Sequence, residues 1–379
     1  MKIKLPEGHY TLKADPLPLT KPKKPFNRVA FAAAHVVADA LSNADPSGPP
    51  AIDWEGTLAY RRHLLDLGFG IAEAMDTSQR GMGLDWASAL ELITRSLEDA
   101  GPRAGQIYSG CGTDQLPAAD AKSLDDVVKA YLTQLHAIQK LDGRIILMAS
   151  RALVRVAKSP DDYVKVYSRV LSEAQHPVVL HWLGDMFDPA LKGYWGSNDF
   201  KPAMETCLSA IAANVAKVDG IKISLLDDGK EVTMRRKLPK SVKMYTGDDF
   251  NYPALIAGDE KGYSHALLGI FDAIAPAASA ALSALAKGDM KKYGKLMEPT
   301  VPLSRLVFRA PTQYYKTGIV FLAWLNGHQD HFVMVNGAQA MRPLPYFTEI
   351  FKLADQARLL SDPERAVKRM KKLLAVYGA

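Results

Sequence analysis

Short apolar or β-branched runs recur along the chain, and each is followed by a longer stretch whose apolar positions repeat at three and four residues. The runs are RVAFAAAHVV (28–37), FGIAEAM (69–75), GQIYSG (105–110), RIILMAS (144–150), PVVLHWL (177–183), DGIKISLL (219–226), SVKMYTG (241–247) and GYSHALLGIF (262–271). Runs of this length and composition read as buried strands. The segments between them, such as WASALELITRSLEDAG and SLDDVVKAYLTQLHAIQKL, read as amphipathic helices, several opened by a Ser or Asp cap. Eight strands alternating with helices predict an α/β fold, a closed (β/α)8 TIM barrel, with an open doubly wound sheet as the alternative. The weakest link joins strands six and seven, where GKEVTMRRKL has room for only a two- or three-turn helix.

After residue 275 the strand alternation stops. APAASAALSALAKGDMKKYGKLM, APTQYYKTGIVFLAWLNG, YFTEIFKLADQARLL and SDPERAVKRMKKLLAVYG all carry helical periodicity. The expected organisation is an N-terminal extension over 1–27, a barrel over 28–275 and a C-terminal helical region over 276–379. The apolar stretch GIVFLAWL suits packing on the barrel or a subunit contact, and a homo-oligomer, dimer or tetramer, is expected. ADPSGPPA (44–51) reads as a surface loop.

Composition narrows the class. The chain has 379 residues, 48% hydrophobic and 23% charged, which is ordinary globular composition. Its net charge of +6 comes from scattered basic residues without an aromatic-interleaved stripe, so no nucleic-acid partner is expected. No run has signal-peptide character or membrane-spanning length, so no membrane association is expected. Cys111 and Cys207 match no metal spacing and are expected to stay reduced in a cytoplasm.

In a parallel barrel the chemistry sits at the C-terminal strand ends. Polar residues expected there are His35, Glu73, the turn Asp76 to Arg80, Ser150 and Arg151, His181, Lys222 with Ser224 two residues on, Thr246 to Asp249, and Ser264 with His265. Lys222 stands out because it interrupts an apolar strand with no neutralising neighbour in sequence. Desolvating an ammonium is costly, and such a lysine escapes by pairing with a carboxylate or by losing its proton. A neutral lysine is a nucleophile.

Three motifs, in order, resemble one family. DGIKISLLD resembles the Gly-Ile-Lys strand of the dihydrodipicolinate synthase and N-acetylneuraminate lyase superfamily of class I aldolases, whose strand-six lysine forms a Schiff base with an α-keto acid. DTSQRGMGL occupies the place of the family's Gly-Thr-Thr-Gly-Glu loop, and YTGDDFNYPALIAGDEKGYSHAL is similar to its Ser-Gly-Asp-Asp run and following glycine-rich strand. The register covers residues 28 to about 290, in the manner of a divergent branch of unknown function. The resemblance implies a Schiff base at Lys222, a keto-acid carboxylate on Thr77 and Ser78, and His181 where the family has a proton-relaying tyrosine. A second family tyrosine is missing after strand four, where Arg151 is offered instead, and the loop's terminal glutamate is Arg80.

The expected function is therefore a lyase that performs retro-aldol cleavage, aldol addition or dehydration on a keto acid or keto sugar, with no cofactor or metal. Lys222 and His181 are the expected catalytic pair, and Thr77, Ser78, Arg80, Arg151, Ser224, Asp248 and His265 the expected substrate contacts. One alternative is a metal-dependent isomerase or hydrolase using His35, Glu73, Asp76, His181, Asp248 and His265 as donors. Another is a non-catalytic sugar-binding regulator on the same scaffold. The insert GDMFDPALKGYWGSNDF (184–200) suits either a polyhydroxylated ligand or an ordinary packed loop.

Overall fold

A computed structural model describes residues 1–45 and 47–379, so Pro46 of the expected 44–51 loop lies outside the described residues. Eight parallel strands close into a barrel: β3 (Ala30–Ala33), β4 (Gly70–Glu73), β5 (Ile107–Cys111), β6 (Arg144–Leu147), β7 (Val178–Leu183), β8 (Val218–Ser224), β9 (Lys243–Thr246) and β10 (His265–Leu268). Each pairs with the next in chain order, and β10 returns to β3, so no edge is left open. The open-sheet alternative is thereby excluded. Before the barrel, β1 (Lys2–Leu5) and β2 (Gly8–Thr11) form an antiparallel hairpin not anticipated from the sequence. Its alternation buries Ile3 and Leu5, and Tyr10 donates to Asp355 at 2.7 Å, tying the N-terminal segment to a C-terminal helix.

Strand parity decides which side chains enter the barrel, because successive residues of a strand face opposite sides. Phe31, Ala33, Ala72, Ile146, Val179, Tyr245 and Leu267 fill the barrel interior, whereas Ala30, Ala32, Ile71, Ile145, Leu180, Ile221, Ile223 and Leu268 pack outward against the helices. On this count His181, Lys222 and Ser224 project inward. The first run is shorter than its apolar pattern suggests: β3 ends at Ala33, and the chain beyond it bridges Ala38 to Ile52.

The helix joining β8 to β9 is the short one expected, Asp228–Arg235, capped by Asp227. The alanine-rich run after the barrel divides into Ala275–Leu285 and Met290–Met297, because Gly288 takes a left-handed conformation (φ +76°) and Asp289 caps the second helix. Helix Tyr315–Leu325, which holds the GIVFLAWL run, is buried at every residue within the one chain. No helix among the described residues is long and apolar enough to cross a membrane.

Candidate active site

Lys222 and His181 are register partners across β7 and β8, and both are buried. Burial lowers the Lys222 ammonium below its usual range, while the charges of Asp76 and then Asp249 oppose the shift. No hydrogen bond or ion pair holds its Nζ among the described residues, and 7% of its surface remains exposed. Gly247 makes this placement possible. A Cβ there would stand 2.3 Å from Ser224 Oγ and 2.7 Å from Lys222 Cε, so only glycine lets β9 end against the lysine stem.

His181 Nε2 lies 3.2 Å from Ser224 Oγ, and its Nδ1 has no partner among the described residues. Burial first and the neighbouring lysine second push the imidazole well below its ordinary value. The ring is therefore neutral at physiological pH and accepts protons poorly. A better proton carrier stands close by. Asp249 is raised to about 7, chiefly by burial, with Oδ1 accepting from Ile270 N at 2.8 Å and the charge of Lys222 opposing the shift.

Thr77 and Ser78 are buried in the turn after β4. Ser78 donates to Ala34 O at 2.6 Å, and Thr77 Oγ1 lies 2.7 Å from the phenol of Tyr315. Arg151 binds Asp188 through Nε at 2.6 Å, leaving the outer edge of a half-exposed guanidinium over Gly81. Asp76, Thr113, Arg151, His181, Leu183 and Asp188 line a cavity of about 170 Å³ at this end of the barrel. Lys222 does not itself form the wall; its strand partner His181 and its attracting carboxylate Asp76 do.

Other expected contacts are not delivered. Arg80 does line the cavity, but its guanidinium is already engaged, binding both oxygens of Asp114 and donating to Ala74 O, Gly110 O and Gln134. Asp248 is turned into its own loop, with Oδ1 accepting from Phe250 N and Asn251 N and Oδ2 from the Asn251 amide. Its neighbour Asp249 is the one that acts on Lys222. His265 opens β10, at the opposite end of the barrel from the strand termini, where it accepts from Val29 N at 2.9 Å beside the aromatic layer of Phe31, Tyr108 and Tyr245.

The donor set of the metal alternative is dispersed in the same way. Glu73 faces outward by parity and is held by Arg61 through two 2.8 Å bonds and by Ser96. His35, past the end of β3, has its Nδ1 on Asp272 at 2.8 Å. No three His, Cys, Asp or Glu side chains among the described residues converge closely enough to share an ion. In the insert after β7, Tyr194 and Trp195 pack against Tyr163 and Tyr167, while Asp188 and Leu191 reach the cavity. The packed-loop reading holds for those aromatics.

Two residues at the site escaped the sequence reading. Tyr315 and Lys316 open the buried helix of the C-terminal region. The Tyr315 ring stacks on Phe308 at 4.3 Å, and burial followed by the charge of Asp76 raises its phenol far above 10. Lys316 is lowered to about 8 by burial, against the charges of Asp76 and Asp188, and donates to Gln313 O at 3.0 Å. Its position in YYKTGIVFLAWL repeats the signal that singled out Lys222, a lysine within an apolar run.

A family model described as a protein of unknown function, DUF993, matches residues 3–379. The chain belongs to that family. No curated protein matches this DUF993 chain, but solved structures share its barrel. YagE, a prophage protein of the dihydrodipicolinic acid synthase family from E. coli K12 solved with pyruvate, is 13% identical with a TM-score of 0.68, covering 88% of this chain and 99% of its own. Dihydrodipicolinate synthase from Acinetobacter baumannii, chloride-inhibited and complexed with pyruvate, is 14% identical at TM-score 0.63, with coverages of 88% and 99%. The Aquifex aeolicus synthase is 11% identical at TM-score 0.60, with coverages of 93% and 98%. The DUF993 chain thus shares the fold of the dihydrodipicolinate synthase structures over most of its length.

Proposed function

We propose that this protein is a Schiff-base-forming lyase that acts on a keto acid or keto sugar through Lys222. The observation that carries the reading is the buried Lys222 amine, unpaired at Nζ among the described residues and depressed by burial, on the inner face of β8 and in register with His181, which lines the cavity. Two neighbours by fold, from E. coli and Acinetobacter baumannii, were solved with pyruvate, which supports a keto acid as the electrophile.

The chemistry follows from the groups present. Neutral Lys222 adds to the ketone carbon, giving a carbinolamine and moving one proton from nitrogen to oxygen. Loss of water then requires an acid beside the departing hydroxyl. Asp249, raised to about 7, carries a proton for part of the time near neutral pH and suits that role. The resulting iminium draws electrons from the adjacent bond, so cleavage, addition or dehydration can proceed there. Neutral His181, with Nδ1 unpartnered among the described residues, would serve the substrate through a hydrogen bond, with proton transfer to the departing hydroxyl left to Asp249. Thr77 would hold the substrate carboxylate, with Tyr315 behind it as a phenol where β7 carries His181 in place of the family's tyrosine. The free edge of Arg151 is available to a distal polar or anionic group.

The test is reductive trapping. Wild-type protein and Lys222→Ala are mixed with pyruvate or a panel of keto sugars, reduced with borohydride and weighed intact. The expected result is a substrate-sized mass gain in the wild type that the variant lacks. Absence of an adduct across the panel, or an adduct that persists in Lys222→Ala, would overturn the reading.

A further inference from the structure

The iminium chemistry leaves one role unfilled. Once Lys222 has condensed with a ketone, a proton must leave the carbon beside the imine, and that step needs a base in the cavity with a lone pair free to take it.

The charged side chains on the cavity wall narrow the choice. They are Asp76, Arg80, Asp114, Arg151 and Asp188, and four of these are committed to one another, Arg80 to Asp114 and Arg151 to Asp188. The carboxylate of Asp76, a partly exposed residue, has no hydrogen bond or ion pair among the described residues. Other groups near the lysine are poor bases or are turned away. His181 accepts protons poorly, and burial followed by the charge of Asp76 keeps the proton on the Tyr315 phenol. Asp249 accepts from Ile270 N and does not line the cavity, and Lys316 donates to Gln313 O.

Asp76 is also firmly placed. It opens the turn Asp76–Ser78 after β4, which is pinned on two sides, by Ser78 donating to Ala34 O at 2.6 Å and by Thr77 Oγ1 lying 2.7 Å from the Tyr315 phenol. Its charge is the largest acting on Lys222, yet the two groups do not meet in an ion pair among the described residues. The carboxylate thus stands back from the amine, where a base for the carbon beside the imine belongs.

We propose that Asp76 is the catalytic base for that carbon. It takes the proton, the C–H electron pair becomes the C=C bond of an enamine, and the C=N pair returns to the Lys222 nitrogen. In aldol addition the enamine carbon then attacks an aldehyde, and protonated Asp76 gives its proton to the aldehyde oxygen; cleavage runs the same transfers in reverse. The assignment rests on the Schiff-base reading of Lys222.

Pyruvate in deuterium oxide tests it, with loss of the methyl proton signal followed by NMR and borohydride trapping run on the same samples. Wild-type protein should exchange the methyl protons above the protein-free rate and form the adduct. Asp76→Asn should form the adduct to the same extent but exchange about 10²–10⁴-fold more slowly, the range for a positioned base. Lys222→Ala should do neither. Equal exchange in Asp76→Asn, loss of its adduct, or no exchange in a wild type that forms the adduct would overturn the role of Asp76 and leave the imine standing. No adduct in the wild type would instead remove the Schiff-base reading and this assignment with it.

Discussion

The phenol of Tyr315 stands 2.7 Å from the hydroxyl of Thr77, joining the C-terminal helical region to the turn after the second barrel strand. Because the Tyr315 ring is stacked on Phe308, removing only its hydroxyl should leave the packing in place. Tyr315→Phe is expected to fold with a stability loss of about 1 kcal/mol, the usual value of one hydrogen bond. Turnover of a trapped keto acid should fall by about 10²–10⁴, the range for a positioned proton-transfer group. Single-turnover kinetics beside a denaturation curve would separate the two effects, and an unchanged rate would remove Tyr315 from the relay.

Lys222 is an expense to the fold as well as the proposed nucleophile. Replacing it with methionine keeps most of the volume and removes a buried amine with no ion-pair partner among the described residues. Lys222→Met should abolish borohydride trapping while leaving stability unchanged or raising it by about 1–2 kcal/mol. Urea unfolding checks the second half, and a marked loss of stability would mean that the lysine is a structural partner.

The two arginines near the cavity should behave differently. Arg80 is buried and binds Asp114, two carbonyls and Gln134, so Arg80→Ala should cost about 3–5 kcal/mol, the loss that accompanies breaking a buried pair. Arg151 is half-exposed with a free edge, so Arg151→Ala should change stability by less than about 1 kcal/mol and act on KM. Paired melting curves and steady-state kinetics would show whether the division holds.

Gly247→Ala places a methyl group against Ser224 Oγ, Ile223 O and Lys222 Cε at 2.3–2.7 Å. The clash involves strand backbone and cannot be relieved by one side chain alone. A stability loss of about 1–3 kcal/mol is expected together with loss of imine trapping, because the lysine stem must move. Trapping at the wild-type rate would show that Lys222 tolerates displacement.

Glu231 supplies a pH signature independent of the active site. Burial raises its carboxyl from 4.5 to about 8; Oε1 accepts from Ser264 at 2.6 Å and Oε2 has no partner among the described residues. Between those values the folded chain keeps a proton that the unfolded chain releases. The stability from this group is thus complete below about pH 4.5 and is lost as pH rises towards 8. Between pH 5 and 8 the wild type should lose about 3–4 kcal/mol through this residue, and Glu231→Gln should flatten that slope. Chemical denaturation at several pH values reads it directly.

The periodic features were legible along the chain. Short continuous apolar runs mark strands buried on both faces and period-three-and-four runs mark helices buried on one, because each reports how a local element is covered. Lys222 was visible by the same logic, as a charge within a buried strand, and so was Ser224, which shares its parity. Lys316 carried an equivalent signal in its helix but had no motif to attach it to the barrel mouth. Outside periodicity, signals were misleading: of the adjacent pair Asp248 and Asp249, the first is absorbed by its own turn and the second acts on Lys222. His265 has the inward parity of a site residue but sits at the wrong end of its strand.

Sequence by itself determined the order of elements and the inward lysine, since these arise from local spacing, whereas the pairing of β10 with β3 decided between a closed barrel and an open sheet. Only the tertiary structure decided which polar groups are free to act. Arg80, Glu73 and Asp248 are satisfied by partners that strand spacing does not reveal. Tyr315 reaches Thr77 from 238 residues away. A side chain's chemistry depends on what neutralises or desolvates it, and in a closed barrel those neighbours come from segments far apart in the chain.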